Sequence, residues 1–214
     1  MKTGILGTGD VGQALGRGFA ALGHDVRMGS REPYGDRVKK WLAQAGARAS
    51  SGTFAEAAEF GEVIVLATLW PGTENAIRLA GPENFAGKVV IDTTNPLRFV
   101  PNAPPELTHG HTDSGGEQVQ RWLSGARVVK AFNIVGNAHM VNPRFPGGQP
   151  DMFICGNDAD AKQVVTGILE AFGWPAIDIG GIEGARLLEP LCLLWVTYAI
   201  RTGTWNHAFK LLRR

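Results

Sequence analysis

Three glycines near the N-terminus have the spacing of a turn that binds phosphate groups. They lie in the segment Gly7-Thr8-Gly9-Asp10-Val11-Gly12, which follows a short apolar run and precedes a stretch with helical periodicity. Glycines in this context permit a tight turn, close approach of the backbone to a pyrophosphate, and close packing of helix on strand. The helix N-terminus then attracts phosphate through its backbone N–H groups. We expect this segment to bind a dinucleotide; the alternative is a plain glycine-rich turn in which Asp10 caps a helix.

The end of the second predicted strand indicates which dinucleotide is bound. A chain that binds NAD has an acidic residue there, roughly 20 residues past the glycines, to hold the ribose hydroxyls. This chain has Ser30 and Arg31 instead, and a guanidinium beside a hydroxyl suits the 2′-phosphate of NADP. The alternative is that Arg31 simply pairs with Glu32, which follows it. The pattern favours NADP(H).

Polar side chains follow the other predicted strands, at the edge where ligands of such sheets bind. The candidates are Thr68, Trp70, Asn95, Asn133 and Asn137. Amides, a hydroxyl and an aromatic ring suit a nicotinamide, although Trp70 also fits core packing and Asn95 also fits a turn before proline. Since none of these side chains is an acid or a base, we name no catalytic residue.

Patterns typical of other chemistries are absent from the sequence. Neither tyrosine has a lysine four residues later, which argues against the proton-transfer pair of short-chain dehydrogenases. His109, His111 and Asp113 lie in a Pro/Gly-rich loop without a second cluster, so no metal site is expected. Carbonyl reduction requires a proton donor, whereas hydride transfer between a nicotinamide and a flavin-like ring depends mainly on positioning. The sequence favours the second chemistry.

Short apolar runs alternate with helix-period segments along most of the chain. Val63 to Leu66 and Val89 to Ile91 are continuous apolar runs, typical of parallel strands covered on both faces. The alternation predicts an α/β fold of the Rossmann type, a doubly wound parallel sheet with a small C-terminal α/β appendage. The Pro/Gly-rich segment Asn142 to Pro150 is the predicted boundary between an NADP-binding domain (residues 1–144) and a C-terminal region (residues 151–214) that lines the acceptor pocket.

Three further patterns predict helices and what they contact. The helix after the glycine turn is predicted to bury an apolar face formed by Val11, Leu15, Phe19 and Leu22. Ser114 and Glu117 have the spacing of a capping box and predict the start of a later helix. The stretch Leu191 to Val196 is apolar on all sides, which suits a helix buried between protein surfaces and predicts a homodimer.

The composition excludes several classes of protein. Of 214 residues, 44% are hydrophobic and 19% are charged, which is typical of a globular chain. A net charge of +1 argues against nucleic acid or an acidic membrane as partner. Neither a signal peptide nor an apolar stretch long enough to span a membrane is visible. With only two cysteines, Cys155 and Cys192, the sequence predicts a cytoplasmic protein without disulfides.

Taken together, these residues resemble the NADPH-dependent reductases of the deazaflavin coenzyme F-420, over essentially the whole chain. The matching segments are Ile5 to Gly12, Leu22 to His24, Gly29 to Arg31, Trp70, Asp92 to Pro96, Val128 to Asn133, Cys155-Gly156 and Gly184 to Glu189. The chain is also similar to the NADPH-binding domain of metalloreductases. It departs from the first family at Gly35, where that family has a lysine, and at Asn133, where archaeal members have a histidine near the deazaflavin. The loop from Phe99 to Thr108 is longer than that family implies.

The resemblance implies a role for each matched segment. Thr8 to Val11 would hold the pyrophosphate, Ser30 and Arg31 the 2′-phosphate, and Thr68 and Asn95 the nicotinamide end. We expect an NADP-dependent oxidoreductase that moves a hydride to or from a small flavin-type molecule, either coenzyme F-420 or an ordinary flavin. The alternatives are a reductase of a small carbonyl or imine, with Asn133 and water as its polar groups, and a non-catalytic NADPH-binding module.

Overall fold

An eight-stranded sheet forms the centre of the molecule. The computed structural model describes residues 1–101 and 103–213, so Asn102 of the long loop and Arg214 of the predicted C-terminal region lie outside it. The strands of the sheet are β1 (Lys2–Leu6), β2 (Asp25–Gly29), β3 (Ala49–Gly52), β4 (Val63–Leu66), β5 (Val89–Asp92), β8 (Arg127–Lys130), β9 (Met152–Gly156) and β10 (Ala176–Asp178). Across the sheet they lie in the order β10-β9-β8-β5-β4-β1-β2-β3. Two further strands, β6 (Leu97–Arg98) and β7 (Glu106–Leu107), form a separate antiparallel ribbon.

Helices cover both faces of the sheet. They are α1 (Asp10–Ala21), α2 (Asp36–Ala45), α3 (Phe54–Phe60), α4 (Trp70–Ala80), α5 (Gly115–Trp122), α6 (Ala159–Ala171) and α7 (Ala185–Thr202). Because successive strand residues point to opposite faces, Ile5 packs in a core with Phe19 of α1, whereas Leu6 packs in a second core with Phe54 of α3. Two cores, one on each face of a mostly parallel sheet, confirm the predicted doubly wound Rossmann-type fold.

The C-terminal strands extend the same sheet. β9 pairs with β8 in the antiparallel sense, with Val129 opposite Gly156, whereas β10 pairs with β9 in parallel. A parallel pair needs a crossover connection, and the segment between β8 and β9 contains only a short 3₁₀ turn, Asn137–His139. The antiparallel step therefore differs from the purely parallel sheet that the sequence predicts. The division into residues 1–144 and 151–214 stays a prediction.

Three local features differ from the sequence-based expectations. β3 and α3 were not identified, because β3 is a short polar edge strand and α3 has only seven residues. Leu22 follows the last residue of α1 and is 44% exposed, so it does not belong to the buried face. Ser114 caps α5 as predicted, but the Glu117 carboxylate bonds the Ser114 hydroxyl and Arg186, so the capping box is not reciprocal.

The longest of these helices, α7, has 18 residues and carries Glu189 and Pro190 in its first half. In the described part of the chain, no helix is long and apolar enough to cross a membrane.

Candidate functional site

The glycine turn joins the carboxyl end of β1 to the start of α1. Gly7 has φ +127°, a conformation that L side chains rarely adopt, and a Cβ there would collide with the Ala67 carbonyl at the end of β4. A Cβ at Gly12 would collide in turn with the Gly7 carbonyl. Gly9 is different, because nothing lies within 4 Å of the position its Cβ would take. Two of the glycines are therefore required by packing, whereas Gly9 faces open space.

The first turn of α1 is open to a ligand. Its N-cap is Gly9, whose lack of a side chain leaves the first backbone N–H groups without a side-chain cap. Asp10 is thus not the cap that the alternative interpretation required; its exposed carboxylate lies 3.2 Å from the Arg37 guanidinium at the start of α2. The Gln13 side chain donates to the Thr8 carbonyl at 3.0 Å and holds the turn in place.

Ser30 and Arg31 follow β2, beside the glycine turn. The Gly7 N–H donates to the Gly29 carbonyl at 3.2 Å, which brings the two strand ends together. The Ser30 hydroxyl accepts a hydrogen bond from the Glu32 N–H at 3.0 Å. Arg31 is exposed, and within residues 1–101 and 103–213 its guanidinium forms no ion pair, so the alternative pairing with Glu32 is not formed.

Three of the predicted nicotinamide residues lie at neighbouring strand ends. Thr68 follows β4, and its hydroxyl lies 2.9 Å from that of Thr73. Asn95 and Asn133 follow β5 and β8 and bond each other twice. The Asn95 side-chain amide donates to the Asn133 carbonyl at 2.9 Å, and the Asn133 amide donates to the Asn95 Oδ1 at 3.0 Å.

Asn133 is the most constrained of these residues. It is only 3% exposed, and its amide nitrogen also donates to the Leu188 carbonyl of α7 at 3.1 Å. Its Oδ1 has no hydrogen-bond partner among the described residues. A buried amide oxygen in that state is costly, so it is a candidate to accept a bond from a ligand N–H group.

The residue before Asn133 has a strained backbone conformation. Phe132 has φ +61°, in the left-handed region that a bulky residue rarely adopts. Its ring is fully buried and lies 6.0 Å from the ring of Phe172, so packing maintains the conformation. Strain of this kind persists where surrounding structure fixes it and is often found at functional sites.

Trp70 and Asn137 are placed differently from the other predicted residues. Trp70 begins α4 and stacks on Trp122 of α5, with ring centroids 5.6 Å apart, while His109 meets the Trp70 ring edge-on. Trp70 therefore packs in an aromatic cluster. Asn137 is exposed at the start of the 3₁₀ turn after β8.

The loop with His109, His111 and Asp113 is fixed by contacts with α4 and α5. The Asp113 carboxylate accepts two hydrogen bonds from Arg121, at 3.1 and 2.8 Å. This pairing lowers the pKa of Asp113 to about 2. Asp113 and His109 are thus engaged in contacts of their own.

The sequence did not identify a buried cluster of three charges beside the asparagine pair. The Lys130 ammonium of β8 lies 3.0 Å from the Asp92 carboxylate of β5 and 2.8 Å from the Glu189 carboxylate of α7. All three side chains are at most 1% exposed. Burial by itself lowers the pKa of Lys130, but the two carboxylates outweigh it and hold that pKa above its usual range. The sequence signal for this cluster is one charged residue inside each of three apolar segments, namely Asp92, Lys130 and Glu189.

The two cysteines are buried. Burial raises the pKa of the Cys155 and Cys192 thiols to about 12, so both stay protonated at neutral pH. Neither of them forms a disulfide.

An open cavity of about 570 Å³ lies outside the predicted site. It is bordered by residues 142–146, 148–149 and Gly173, none of which the sequence singled out as binding a ligand.

Known proteins resemble this chain in sequence and in fold. Residues 2–96 match the family described as coenzyme F-420-dependent NADP oxidoreductase. An F-420-dependent NADP reductase from Methanocaldococcus jannaschii is 31% identical over 211 residues, which cover 94% of this chain and 93% of that protein. A crystal structure from Arthrobacter sp. FB24, provisionally assigned as an F-420-dependent NADP reductase, is 39% identical with a TM-score of 0.93 and covers 100% of both chains.

A second group of relatives is much longer. The metalloreductase STEAP3 of Rattus norvegicus is 32% identical over 197 residues, which cover 90% of this chain but only 37% of that protein.

Proposed function

The chain belongs to the coenzyme F-420-dependent NADP oxidoreductase family and is an NADP-dependent oxidoreductase, and from that premise we propose that it transfers a hydride between NADP(H) and a flavin-type acceptor. The acceptor is coenzyme F-420 or an ordinary flavin. The relatives' names support the deazaflavin, and the chemistry of the strand ends supports a flat ring as acceptor.

The proposal of a flavin-type acceptor rests on the side chains at the strand ends. The strand ends of β4, β5 and β8 present a hydroxyl and two amides, from Thr68, Asn95 and Asn133, rather than an acid or a base. The neighbouring charged groups are buried and bonded to one another. Reduction of a carbonyl produces an alkoxide that requires a proton donor, whereas hydride transfer between two rings relies on holding them in the correct geometry.

The residues present fit NADP. Gly9 leaves open space before the N-terminus of α1, where backbone N–H groups favour a pyrophosphate, and Thr8, Asp10 and Val11 border that space. Ser30 and Arg31 lie at the adjacent strand end, where Arg31 is exposed and suits a 2′-phosphate. When bound, NADPH supplies the hydride from its dihydronicotinamide ring.

The asparagine pair would hold the nicotinamide end of the cofactor. The two side chains fix each other, so both amides are oriented before a ligand arrives. The Oδ1 of Asn133, which has no hydrogen-bond partner among the described residues, is then available to accept a hydrogen bond from the carboxamide N–H of the nicotinamide. We also assign Thr68, Trp70 and Asn137 to the border of this end, with Trp70 acting through its stack on Trp122.

The two predicted regions take separate roles in this proposal. Residues 1–144 bind NADP, and residues 151–214 form a wall of the acceptor pocket and the contact with a second subunit. The hydrogen bond from the Asn133 amide to the Leu188 carbonyl joins residues 1–144 to α7, and it supports a place for the C-terminal region in the wall of the pocket. The two free, buried thiols support a cytoplasmic location.

The acceptor is tested by mixing the purified protein with NADPH and, separately, with F-420, FMN, FAD and a panel of small carbonyls and imines. We expect NADPH to be oxidised with F-420 or a flavin, and F-420 reduction to appear as loss of deazaflavin absorbance. Oxidation of NADPH only with the carbonyls or imines would contradict the proposal. So would tight binding of NADPH without oxidation by any acceptor.

Arg31→Ala tests the assignment of the 2′-phosphate. The change should weaken NADPH binding by about 1.5–3 kcal/mol, the range for a hydrogen bond to a charged group, and should leave NADH binding nearly unchanged. Titration of both nucleotides measures the difference. Arg48→Ala is the matched control, because Arg48 is also an exposed arginine but pairs with Asp25 at the opposite edge of the sheet. Equal weakening of NADPH and NADH by Arg31→Ala would overturn the assignment.

A homodimer is proposed from the exposed face of α7. The stretch Leu191 to Val196 is not buried on all sides; Cys192, Trp195 and Val196 face the core and Leu194 faces out. Leu187, Leu194 and Tyr198 are 68%, 57% and 50% exposed and, with Leu191, form one apolar stripe at helical spacing.

Sedimentation equilibrium tests the dimer. We expect the chain to be dimeric and Leu194→Asp to be monomeric with an unchanged circular dichroism spectrum, because a carboxylate would enter the apolar contact. Val164→Asp, at a similarly exposed position on α6, should stay dimeric. A monomeric unmodified chain at micromolar concentration would refute the proposal.

A further inference from the structure

The buried ammonium of Lys130, on β8, contacts two other segments of the chain, the end of β5 and α7. It donates to the Thr94 carbonyl after β5 at 2.7 Å, and it pairs with Asp92 and Glu189 at 3.0 and 2.8 Å. The ammonium thus has one hydrogen bond, to a backbone carbonyl, and two ion pairs, to carboxylates. Lys130 therefore links β5, β8 and α7 at one point.

Each carboxylate of the cluster also fixes backbone elsewhere. One oxygen of Asp92 accepts from the Thr94 N–H and hydroxyl at 2.9 and 2.7 Å. The two oxygens of Glu189 accept from the Gly115 and Gly116 N–H groups at the start of α5, both at 2.9 Å. These donors compensate for the second negative charge, and they add α5 to the segments that the cluster holds.

The cluster is adjacent in the chain to both members of the asparagine pair. Asn95 follows Thr94, whose carbonyl and N–H are both bonded within the cluster. Asn133 bonds the carbonyl of Leu188, which precedes Glu189. A shift of Lys130 would thus move Asn95 on one side and the Asn133 contact on the other.

We infer that Lys130 is a positioning residue for hydride transfer, which sets the geometry of the Asn95–Asn133 pair relative to the wall formed by α5 and α7. This inference rests on the proposed function, because the pair is the predicted nicotinamide end and the wall belongs to the predicted acceptor pocket. Lys130 is assigned as a positioning residue rather than a catalytic one, since its side chain is 0% exposed and its ammonium faces Thr94, Asp92 and Glu189.

A purely stabilising role explains the cluster less well. Replacing a buried ion pair by apolar residues of similar volume is often neutral or stabilising, so such a cluster is weak evidence for stability. Hydrogen bonds between charged groups are, however, short and directional, and they fix the position of the groups they join. The cluster fixes Thr94, which precedes Asn95, and the N–H groups of Gly115 and Gly116 at the start of α5.

Lys130→Met provides the test, because methionine has a similar length and lacks the charge and the donors. We expect kcat for the acceptor that the unmodified enzyme reduces to fall by about 100-fold, as a displacement of ~1 Å can cause. NADPH affinity should change little, since the glycine turn and Arg31 are untouched. The fluorescence of bound NADPH, which reports the surroundings of the nicotinamide, should move toward that of free NADPH.

Lys88→Met is the matched control. Lys88 is a half-buried lysine at the other end of β5, and its ammonium also donates to backbone carbonyls, those of Ala58 and Glu59 at 2.7 and 3.1 Å. The Lys88→Met substitution should leave kcat, NADPH affinity and NADPH fluorescence unchanged. An equal loss of kcat in both variants would overturn the inference, and so would a folded Lys130→Met with the kcat and NADPH fluorescence of the unmodified enzyme.

Glu189→Gln keeps the inference testable where Lys130→Met does not fold. It retains the size of the side chain and leaves Lys130 paired with Asp92. We expect a smaller loss of kcat with the same shift in NADPH fluorescence, and unchanged values would overturn the inference. If the unmodified enzyme reduces no flavin-type acceptor, the proposed function fails, and the fluorescence measurement still decides the role of Lys130.

Discussion

The close approach of three chain segments at Gly7 is the constraint on which the rest of the structure depends. The glycine turn contacts the end of β4 on one side and Gly12 of α1 on the other, and neither contact leaves room for a side chain. β1 can therefore lie between β2 and β4 while α1 starts directly above it. The same turn leaves the space before Gly9 empty. Tight packing on one side of the turn thus accompanies open space on the other, where we propose that the pyrophosphate binds.

The buried charges extend this arrangement to the opposite half of the molecule. α1 and β2 border the proposed nucleotide groove, whereas Lys130 joins β5 and β8 to α5 and α7. The asparagine pair lies just after β5 and β8, held by its own hydrogen bonds and by the Leu188 carbonyl. In the function that we propose, one part of the fold holds the phosphates and the other holds the reacting ring. This division suits a reaction that depends on geometry rather than on proton transfer.

Sequence patterns predicted the parts of the fold that are set by neighbours along the chain. The glycine turn, the apolar strands β4 and β5, and the position of Ser30 and Arg31 after β2 all depend on local spacing. The antiparallel pairing of β9 was not predicted, because it follows from the lack of a crossover helix in a long irregular segment. In the sequence, Lys130 is a single charge inside the apolar segment from Val128 to Phe132. Its partners come from β5 and α7, and no local pattern joins residues so far apart in sequence.

A crystal structure of the complex with NADP⁺ tests the central claim most directly, that the carboxyl edge of this sheet binds NADP with its reacting ring at the asparagine pair. We expect the pyrophosphate to lie at Thr8 to Val11, the 2′-phosphate at Ser30 and Arg31, and the nicotinamide beside Asn95 and Asn133. A nucleotide bound in the cavity around residues 142–149, or a nicotinamide remote from Asn95 and Asn133, would contradict it.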